Sequence, residues 1–230
     1  MNDYLTSNQT YWSRGYEAEN VESFIFRPYG RILKWELGLD GSKGEKLLDF
    51  GCGQGTALQF FRSKGFDVYG VDISELDINR CEEKMSDIPA HFAVISPQPT
   101  ADDVFFGGGF DVVTAIQSLY YFDDTDMAVR IESLYRQMKP GGIIYASMMG
   151  PGHYMYKHSH PHSNGLSRVE FESSRLVVRN YYVNFTRSEA QLVERFKLFE
   201  RLHVGYYDAR YRDDEGGSFH YTFVGRKAGG

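Results

Sequence analysis

The chain has 230 residues, a formal net charge of -6 and two cysteines. This length suffices to bury the core of one domain, and the acidic balance argues against a surface that tracks nucleic-acid phosphates. Two cysteines make neither a disulfide framework nor a zinc set. The sequence has no run of about eighteen apolar residues, so no membrane-spanning helix is predicted. The first residues lack the basic and apolar regions of a signal peptide, so we expect a cytoplasmic protein.

Helices and strands are predicted to alternate along most of the chain. A helix is predicted over Asn20–Leu39, where apolar residues recur at helical spacing. Leu47, Leu48 and Phe50 are predicted to belong to a buried parallel strand, and Gly65 ends the helix predicted from Thr56 to Lys64. Further predicted elements are the strand Phe66–Val71, a helix from Ser74 to about Met85, the strands Ala90–Ile95 and Phe110–Ile116, a helix through Met127–Met138 and the strand Ile143–Met149. This alternation is typical of an α/β fold with a doubly wound parallel sheet.

The last part of the chain departs from this alternation. Residues 150–184 form a long insert after the fifth strand. The run Thr186-Arg187-Ser188-Glu189 predicts the capped start of a helix. Leu202–Tyr207 and Ser218–Gly225 are predicted strands on either side of a polar turn at 212–217.

The turn Gly51-Cys52-Gly53-Gln54-Gly55 lies between a buried strand and a helix. Its glycines let the backbone turn sharply and approach a ligand closely. Thr56 stands where a dinucleotide fingerprint has its third glycine, and Asp49 before the turn would repel a pyrophosphate. Asp72 ends the next strand, where a carboxylate can accept hydrogen bonds from both hydroxyls of a ribose. These residues favour a cationic, adenosine-bearing cofactor, and the alternative is a tight turn without a ligand.

The same residues resemble the class I S-adenosylmethionine-dependent methyltransferases. That family carries an acidic residue, an apolar residue and G-x-G-x-G, then an acidic residue at the end of the next strand; Asp49–Gly55 and Asp72 match this position by position. Lys139-Pro140-Gly141-Gly142 resembles the family's entry to the fifth strand. The resemblance implies a seven-stranded, mostly parallel sheet with helices on both faces and a C-terminal antiparallel strand pair. It implies S-adenosyl-L-methionine as cofactor, with Asp49, Gly51, Cys52, Gly53, Gly55, Asp72, Ile73, Ser96, Gln117 and Tyr11 as binding residues.

One methyltransferase domain is therefore expected over residues 1–230. Its expected parts are a helical lid at 1–45, a cofactor-binding core at 46–149, a substrate-side insert or cap at 150–184, and a closing helix with edge strands at 185–230. Two interpretations stay open for Tyr11, Trp12 and Tyr16. They either close over the cofactor as a lid or pack as an ordinary terminal arm.

Four of the seven histidines lie in the insert, namely His153, His158, His160 and His162. Three interpretations stay open: a polar surface loop, a general base or acceptor-orienting group, and a metal site. His153 lies nearest to the strand end and is our candidate base. No nearby acidic ligand completes a metal set, so no metal is predicted. Tyr120, after the fourth strand, is the second candidate catalytic residue.

Two missing features narrow the class of acceptor. Ala115–Tyr120 lacks the Asn/Asp-Pro-Pro-Tyr/Phe motif of amino-purine and glutamine-amide methyltransferases. Cytosine C5 chemistry requires a nucleophilic cysteine near the fourth strand, and neither cysteine lies there. We expect methyl transfer to an oxygen or nitrogen of a small molecule such as a sugar, a natural-product-like metabolite or an amine. A protein acceptor and a non-catalytic cofactor-binding partner protein are the alternatives. No nucleic-acid or membrane partner is expected, and the chain is expected to be a monomer or homodimer.

Overall fold

The computed structural model of the protein describes residues 21–172, 177–211 and 216–229. The strands are β1 Lys46–Phe50, β2 Asp67–Asp72, β3 Phe92–Val94, β4 Phe110–Ala115, β5 Met138–Met149, β6 Ser159–Pro161, β7 Ser167–Glu172, β8 Val177–Val183, β9 Glu200–Tyr207 and β10 His220–Arg226. A seven-stranded sheet has the order β3-β2-β1-β4-β5-β10-β9. The pairs among β1 to β5 are parallel, and β10 is antiparallel to β5 and β9. The predicted doubly wound, mostly parallel sheet with its C-terminal antiparallel pair is confirmed.

Helices cover both faces of this sheet. They are α1 Ser23–Pro28, α2 Thr56–Ser63, α3 Glu75–Lys84, α4 Asp124–Gln137 and α5 Glu189–Arg195. Because side chains alternate along a strand, neighbouring residues of β1 enter different cores. Leu47 packs in the core that contains residues of α1, α2 and α3, and Leu48 packs in the core that contains residues of α4 and α5.

The N-terminal helix is shorter than predicted. After α1 the chain continues as a π-helix over Tyr29–Lys34, so regular helix ends before Leu39. Pro28 has no N–H to donate to the preceding turn. Leu37 N–H donates to Ile32 O at 2.9 Å, and Gly38 follows with a φ of +68°. A glycine in this left-handed conformation is a common helix end.

Other differences from the predicted elements are confined to their ends. β3 is shorter than Ala90–Ile95, because Pro89 begins a single 3₁₀ turn before it. The predicted turn Lys139–Gly142 lies within β5, where the pairing with β4 shifts register. Ser188, and not Thr186, caps α5 by accepting a hydrogen bond from Gln191 N–H at 3.1 Å. Ser74 caps α3 as predicted.

The insert forms a second, three-stranded antiparallel sheet in the order β6-β7-β8. It packs beside the turn that follows β4. Tyr181 Oη donates to Tyr121 Oη at 2.9 Å, and Asn184 N–H donates to Tyr120 O at 2.8 Å. The insert therefore lies at the carboxyl end of β4, and its role as a cap stays a prediction.

Some sequence predictions concern residues that lie outside the described ranges. They are Asn20 at the start of the predicted helix, the aromatic residues Tyr11, Trp12 and Tyr16, and most of the polar turn at 212–217. Among the helices that the structure does describe, none combines the length and the apolar character needed to cross a membrane.

Candidate functional site

The glycine turn after β1 has a backbone conformation that favours glycine. Gly51, Gly53 and Gly55 have φ values of +75°, +50° and +77°, a region that other residues enter at a cost. A Cβ on Gly51 would lie 2.4 Å from Ser118 Cβ. Gly51 N–H donates to Val71 O at 2.8 Å and ties the turn to the end of β2. The turn is thus held close to the ends of both β2 and β4.

Asp72, the last residue of β2, is fixed by two backbone hydrogen bonds. Its Oδ2 accepts from Gly53 N–H at 2.9 Å, and its Oδ1 accepts from Ser74 N–H at 2.9 Å. A carboxylate oxygen has a further lone pair after accepting one hydrogen bond. Asp72 can therefore hold the glycine turn in place and still accept hydrogen bonds from a diol.

A cavity of about 390 Å³ opens at the carboxyl ends of the parallel strands. Four of the predicted cofactor residues line it, namely Gly51, Asp72, Ile73 and Gln117. Its lining also includes Phe122, Asp126 and Leu166, which sequence reasoning missed. A capped helix start at 123–126 was the available signal for Asp126. Leu166 gave no signal, because its place depends on how the insert packs.

The remaining described cofactor candidates lie behind or beside this cavity rather than in its lining. Asp49 is 3% exposed, and its Oδ1 accepts from Thr114 Oγ1 at 2.7 Å. Burial raises the pKa of Asp49 to about 6. Ser96 accepts from Gln98 N–H and borders a neighbouring cavity. The others in this set are Cys52, Gly53 and Gly55.

The thiols of both cysteines contact the glycine turn, of which Cys52 is itself a part. Cys52 and Cys81 are buried free thiols, and their Sγ atoms donate to Gly53 O at 3.7 and 3.2 Å. The hydrogen bond with Cys81, followed by burial, raises the pKa of Cys52 above its ordinary range. Cys52 therefore supports the turn as a neutral thiol.

Gln117 connects the cavity to β9, the strand at one edge of the sheet. It has a φ of +56°, and its N–H donates to Ser147 Oγ at 2.9 Å. Its Nε2 donates to Tyr207 Oη at 2.8 Å. Burial raises the pKa of Tyr207 to about 12, so this phenol is neutral at neutral pH. The end of β4 is thereby joined to the end of β9.

His153 and Tyr120, the two candidate catalytic residues, are both buried, and neither lines the 390 Å³ cavity. His153 Nδ1 accepts from Met155 N–H at 3.3 Å. Burial and the nearby His220 lower the pKa of His153 to about 4. Burial raises the pKa of Tyr120 above its ordinary range. Both rings lie within 6 Å of His220, at 5.3 Å for His153 and 5.7 Å for Tyr120.

The other histidines of the insert occupy separate surroundings. The ring of His158 stacks on Phe171 at 4.8 Å, and that of His162 packs against Tyr182 at 5.0 Å. His160 is exposed in β6. Within the parts of the chain that the structure describes, no three His, Cys, Asp or Glu side chains form a group suited to a metal ion.

Polar groups at the ends of β1, β2 and β4 thus surround one cavity at the point where the strand order reverses, which is where open α/β sheets bind ligands. The concave glycine turn and the free lone pairs of Asp72 fit an adenosine-bearing cofactor. The fold and the site together define the class I S-adenosylmethionine-dependent methyltransferases, whose cofactor is S-adenosyl-L-methionine. A sequence model of a methyltransferase domain matches residues 18–198, and the chain belongs to that family.

Individual relatives agree with this assignment. The chain is 30% identical over 128 residues to a ubiquinone biosynthesis O-methyltransferase of Pseudomonas aeruginosa, a match that covers 54% of this chain and 53% of that protein. The chain therefore spans about half the length of the curated relatives it matches. Its fold is similar to that of a SAM-dependent methyltransferase from Methanosarcina mazei (TM-score 0.66, 19% identity, 85% of this chain and 99% of the other). It is also similar to that of a Burkholderia thailandensis 1,6-didemethyltoxoflavin-N1-methyltransferase (TM-score 0.60, 16% identity, 98% and 86%).

Proposed function

We propose that this chain is an enzyme that transfers the methyl group of S-adenosylmethionine to an oxygen or nitrogen of a small-molecule acceptor. The observation that carries the proposal is the cavity in which Gly51, Asp72 and Gln117 meet at the strand ends. The bound cofactor supplies an electrophilic methyl group on a sulfonium. The protein's part in such an in-line displacement is to position the two reactants and to exclude water.

The residues of the cavity suit different parts of the cofactor. Asp72 would accept hydrogen bonds from the ribose hydroxyls, and the apolar side chains of Ile73 and Ile95 would pack against the adenine. Gly51 lets the backbone approach closely. Asp49 lies behind the turn as a buried carboxyl, and in its ionised form it would favour a cofactor that carries positive charge.

Several observations support a small acceptor over a protein. Leu166 of the insert lines the cavity together with Tyr121, so the insert forms part of the cavity wall at the carboxyl edge of the sheet. The names of the two methyltransferases of Pseudomonas and Burkholderia describe small-molecule chemistry. His153 and Tyr120 stay our proposed residues for the acceptor side. We also propose a cytoplasmic monomer or homodimer without a nucleic-acid partner, in line with the net charge of -6.

Calorimetric titration of the purified chain with S-adenosylmethionine, S-adenosylhomocysteine and NAD tests the cofactor. We expect micromolar binding of the first two and no binding of NAD, because the ionised carboxylate of Asp49 behind the glycine turn would repel a pyrophosphate. Binding of NAD alone would contradict the proposal. Cofactor binding followed by methylation of small phenols or amines, but not of protein extracts, would identify the acceptor class.

Asp72→Ala is expected to weaken binding of S-adenosylhomocysteine by about 1–3 kcal/mol, because hydrogen bonds to the ribose are lost. This corresponds to a rise in Kd of roughly 5- to 150-fold. Asp77→Ala is the matched control, since Asp77 pairs with Arg80 on α3 at 3.3 Å and does not line the cavity. Calorimetry that gives the same Kd for both variants and the wild type would place the ribose elsewhere.

A further inference from the structure

The fold brings the two cysteines of the chain together at the glycine turn. Cys52 belongs to this turn, and Cys81 lies in α3. Their Sγ atoms lie 3.7 and 3.2 Å from one atom, the carbonyl oxygen of Gly53. The two thiols also hydrogen-bond to each other. The proposed methyl transfer uses neither thiol, so the chemistry of this pair is not explained by that reaction.

Packing holds both sulfur atoms in place. Cys52 and Cys81 are 7% and 0% exposed. A Cβ on Gly70 would lie 2.9 Å from Cys52 Sγ, and a Cβ on Gly55 would lie 2.9 Å from Cys81 Sγ. Each sulfur atom therefore fills a space that a glycine leaves open. Because protein interiors are closely packed, the two thiols stay in contact with each other and with the turn.

The two thiols differ in acidity. The hydrogen bond with Cys52 lowers the pKa of Cys81, burial opposes this change, and the charge of Lys84 adds to it. Lys84 lies beside the same turn, since its Nζ donates to Gln54 O at 2.8 Å. The same hydrogen bond, followed by burial, raises the pKa of Cys52, so this thiol keeps its proton. Because the thiolate is the nucleophilic form, Cys81 reacts with an oxidant first, and Cys52 lies next to it.

We propose that Cys52 and Cys81 are a modification site at which hydrogen peroxide forms a reversible disulfide that weakens cofactor binding; the effect on the cofactor rests on the proposed methyl transfer. The Cys81 thiolate attacks one peroxide oxygen, the O–O bond breaks, and the leaving hydroxide takes up a proton to become water. Cys81 is then a sulfenic acid. The sulfur of Cys52 attacks the sulfenic sulfur, the S–S bond forms, and the S–O bond breaks. The thiol proton of Cys52 leaves with the departing hydroxide as a second water, and two electrons have passed from sulfur to peroxide.

The disulfide changes the glycine turn in two ways. It carries no S–H, so the carbonyl oxygen of Gly53 loses both of its thiol donors. It also requires an S–S distance of about 2.05 Å, which is shorter than any contact between two thiols and draws the turn toward α3. Gly53 N–H donates to Asp72 Oδ2 at 2.9 Å. The displacement therefore reaches the carboxylate that is proposed to bind the ribose.

The first test needs neither cofactor nor turnover. The reduced full chain is treated with hydrogen peroxide, unfolded, and alkylated with N-ethylmaleimide before intact-mass and peptide analysis. We expect the mass of the reduced chain less two hydrogen atoms, no alkylation, and one peptide pair joined through Cys52 and Cys81. Dithiothreitol should restore two alkylated cysteines. Alkylation of both cysteines after peroxide, or added oxygen atoms on sulfur without a joined peptide pair, would overturn the proposal.

The second test is calorimetric titration of the same samples with S-adenosylhomocysteine. Oxidation is expected to raise the Kd of the wild type by about tenfold or more, as the loss of one hydrogen bond would, and dithiothreitol should reverse the change. Cys81→Ala and Cys52→Ala are the controls for oxidation elsewhere in the chain, and the Kd of each is expected to be the same before and after peroxide. An equal Kd for the disulfide and reduced forms of the wild type would refute the effect on the cofactor. Failure of the reduced wild type to bind would instead contradict the cofactor assignment, and the joined peptide pair would still be measurable.

Discussion

Gly51→Ala is expected to destabilise the protein by about 2–5 kcal/mol and to abolish measurable cofactor binding. The residue has a φ of +75°, and its Cβ would lie 2.4 Å from Ser118 Cβ. Ser118 cannot move away easily, because its Oγ donates to Phe50 O at 2.7 Å. A left-handed alanine costs about 1–2 kcal/mol, and overpacking costs about 1–3 kcal/mol more. The turn must then shift, and with it the backbone that faces the cavity.

Two other glycines separate the causes of this effect. Gly44 has a φ of +65° but no atom within 4 Å of an added Cβ, so Gly44→Ala measures the conformational cost alone. Gly53 lies in the same turn, also with open space around an added Cβ. We expect Gly53→Ala to fold with the stability of Gly44→Ala and to lose only cofactor affinity. Urea unfolding and calorimetry measure both quantities. A Gly51→Ala protein as stable as Gly44→Ala would refute the steric argument.

Asp49→Asn is expected to stabilise the cofactor-free protein by about 3 kcal/mol at pH 8, because burial disfavours the charged carboxyl. The folded pKa is about 6, and the unfolded value is about 3.9. Above pH 6 both states are ionised, and the folded state bears the full cost of the buried charge. As the pH falls from 6 to 4, the folded state takes up its proton first, so the wild type regains stability.

The difference between Asp49→Asn and wild type should therefore shrink as the pH falls and vanish below pH of about 4. Urea unfolding between pH 4 and pH 8 measures it, with the exposed Asp102→Asn as a control that stays close to wild type. A difference that does not change with pH would show that Asp49 is not a buried acid. The substitution should also weaken S-adenosylmethionine binding, since it removes the negative charge behind the turn. Greater stability with poorer binding is a common trade-off at functional sites.

Much of the fold and four residues of the cavity lining follow from local sequence. Apolar runs predicted the parallel strands, and Gly51 and Asp72 were predicted together because strands β1 and β2 are joined by a single helix. The ends of elements were less predictable. The start of β3 and the irregular entry to β5 depend on pairing with neighbouring strands, which local propensity does not encode.

The surroundings of the candidate catalytic residues depend on tertiary structure. His153 is predicted from the sequence because it follows β5 closely, and nothing in the local pattern near residue 220 predicts that His220 lies beside it. His220 lies 67 positions further on, yet β10 inserts between β5 and β9 and brings it within 5.3 Å of His153. Leu166 reaches the cavity in the same way, through the packing of the insert. The sequence by itself determined the glycine turn, because glycine conformation and strand polarity are local properties. Only the tertiary structure decided which side chains meet at the carboxyl edge of the sheet, because burial and hydrogen-bond partners come from segments distant in the chain.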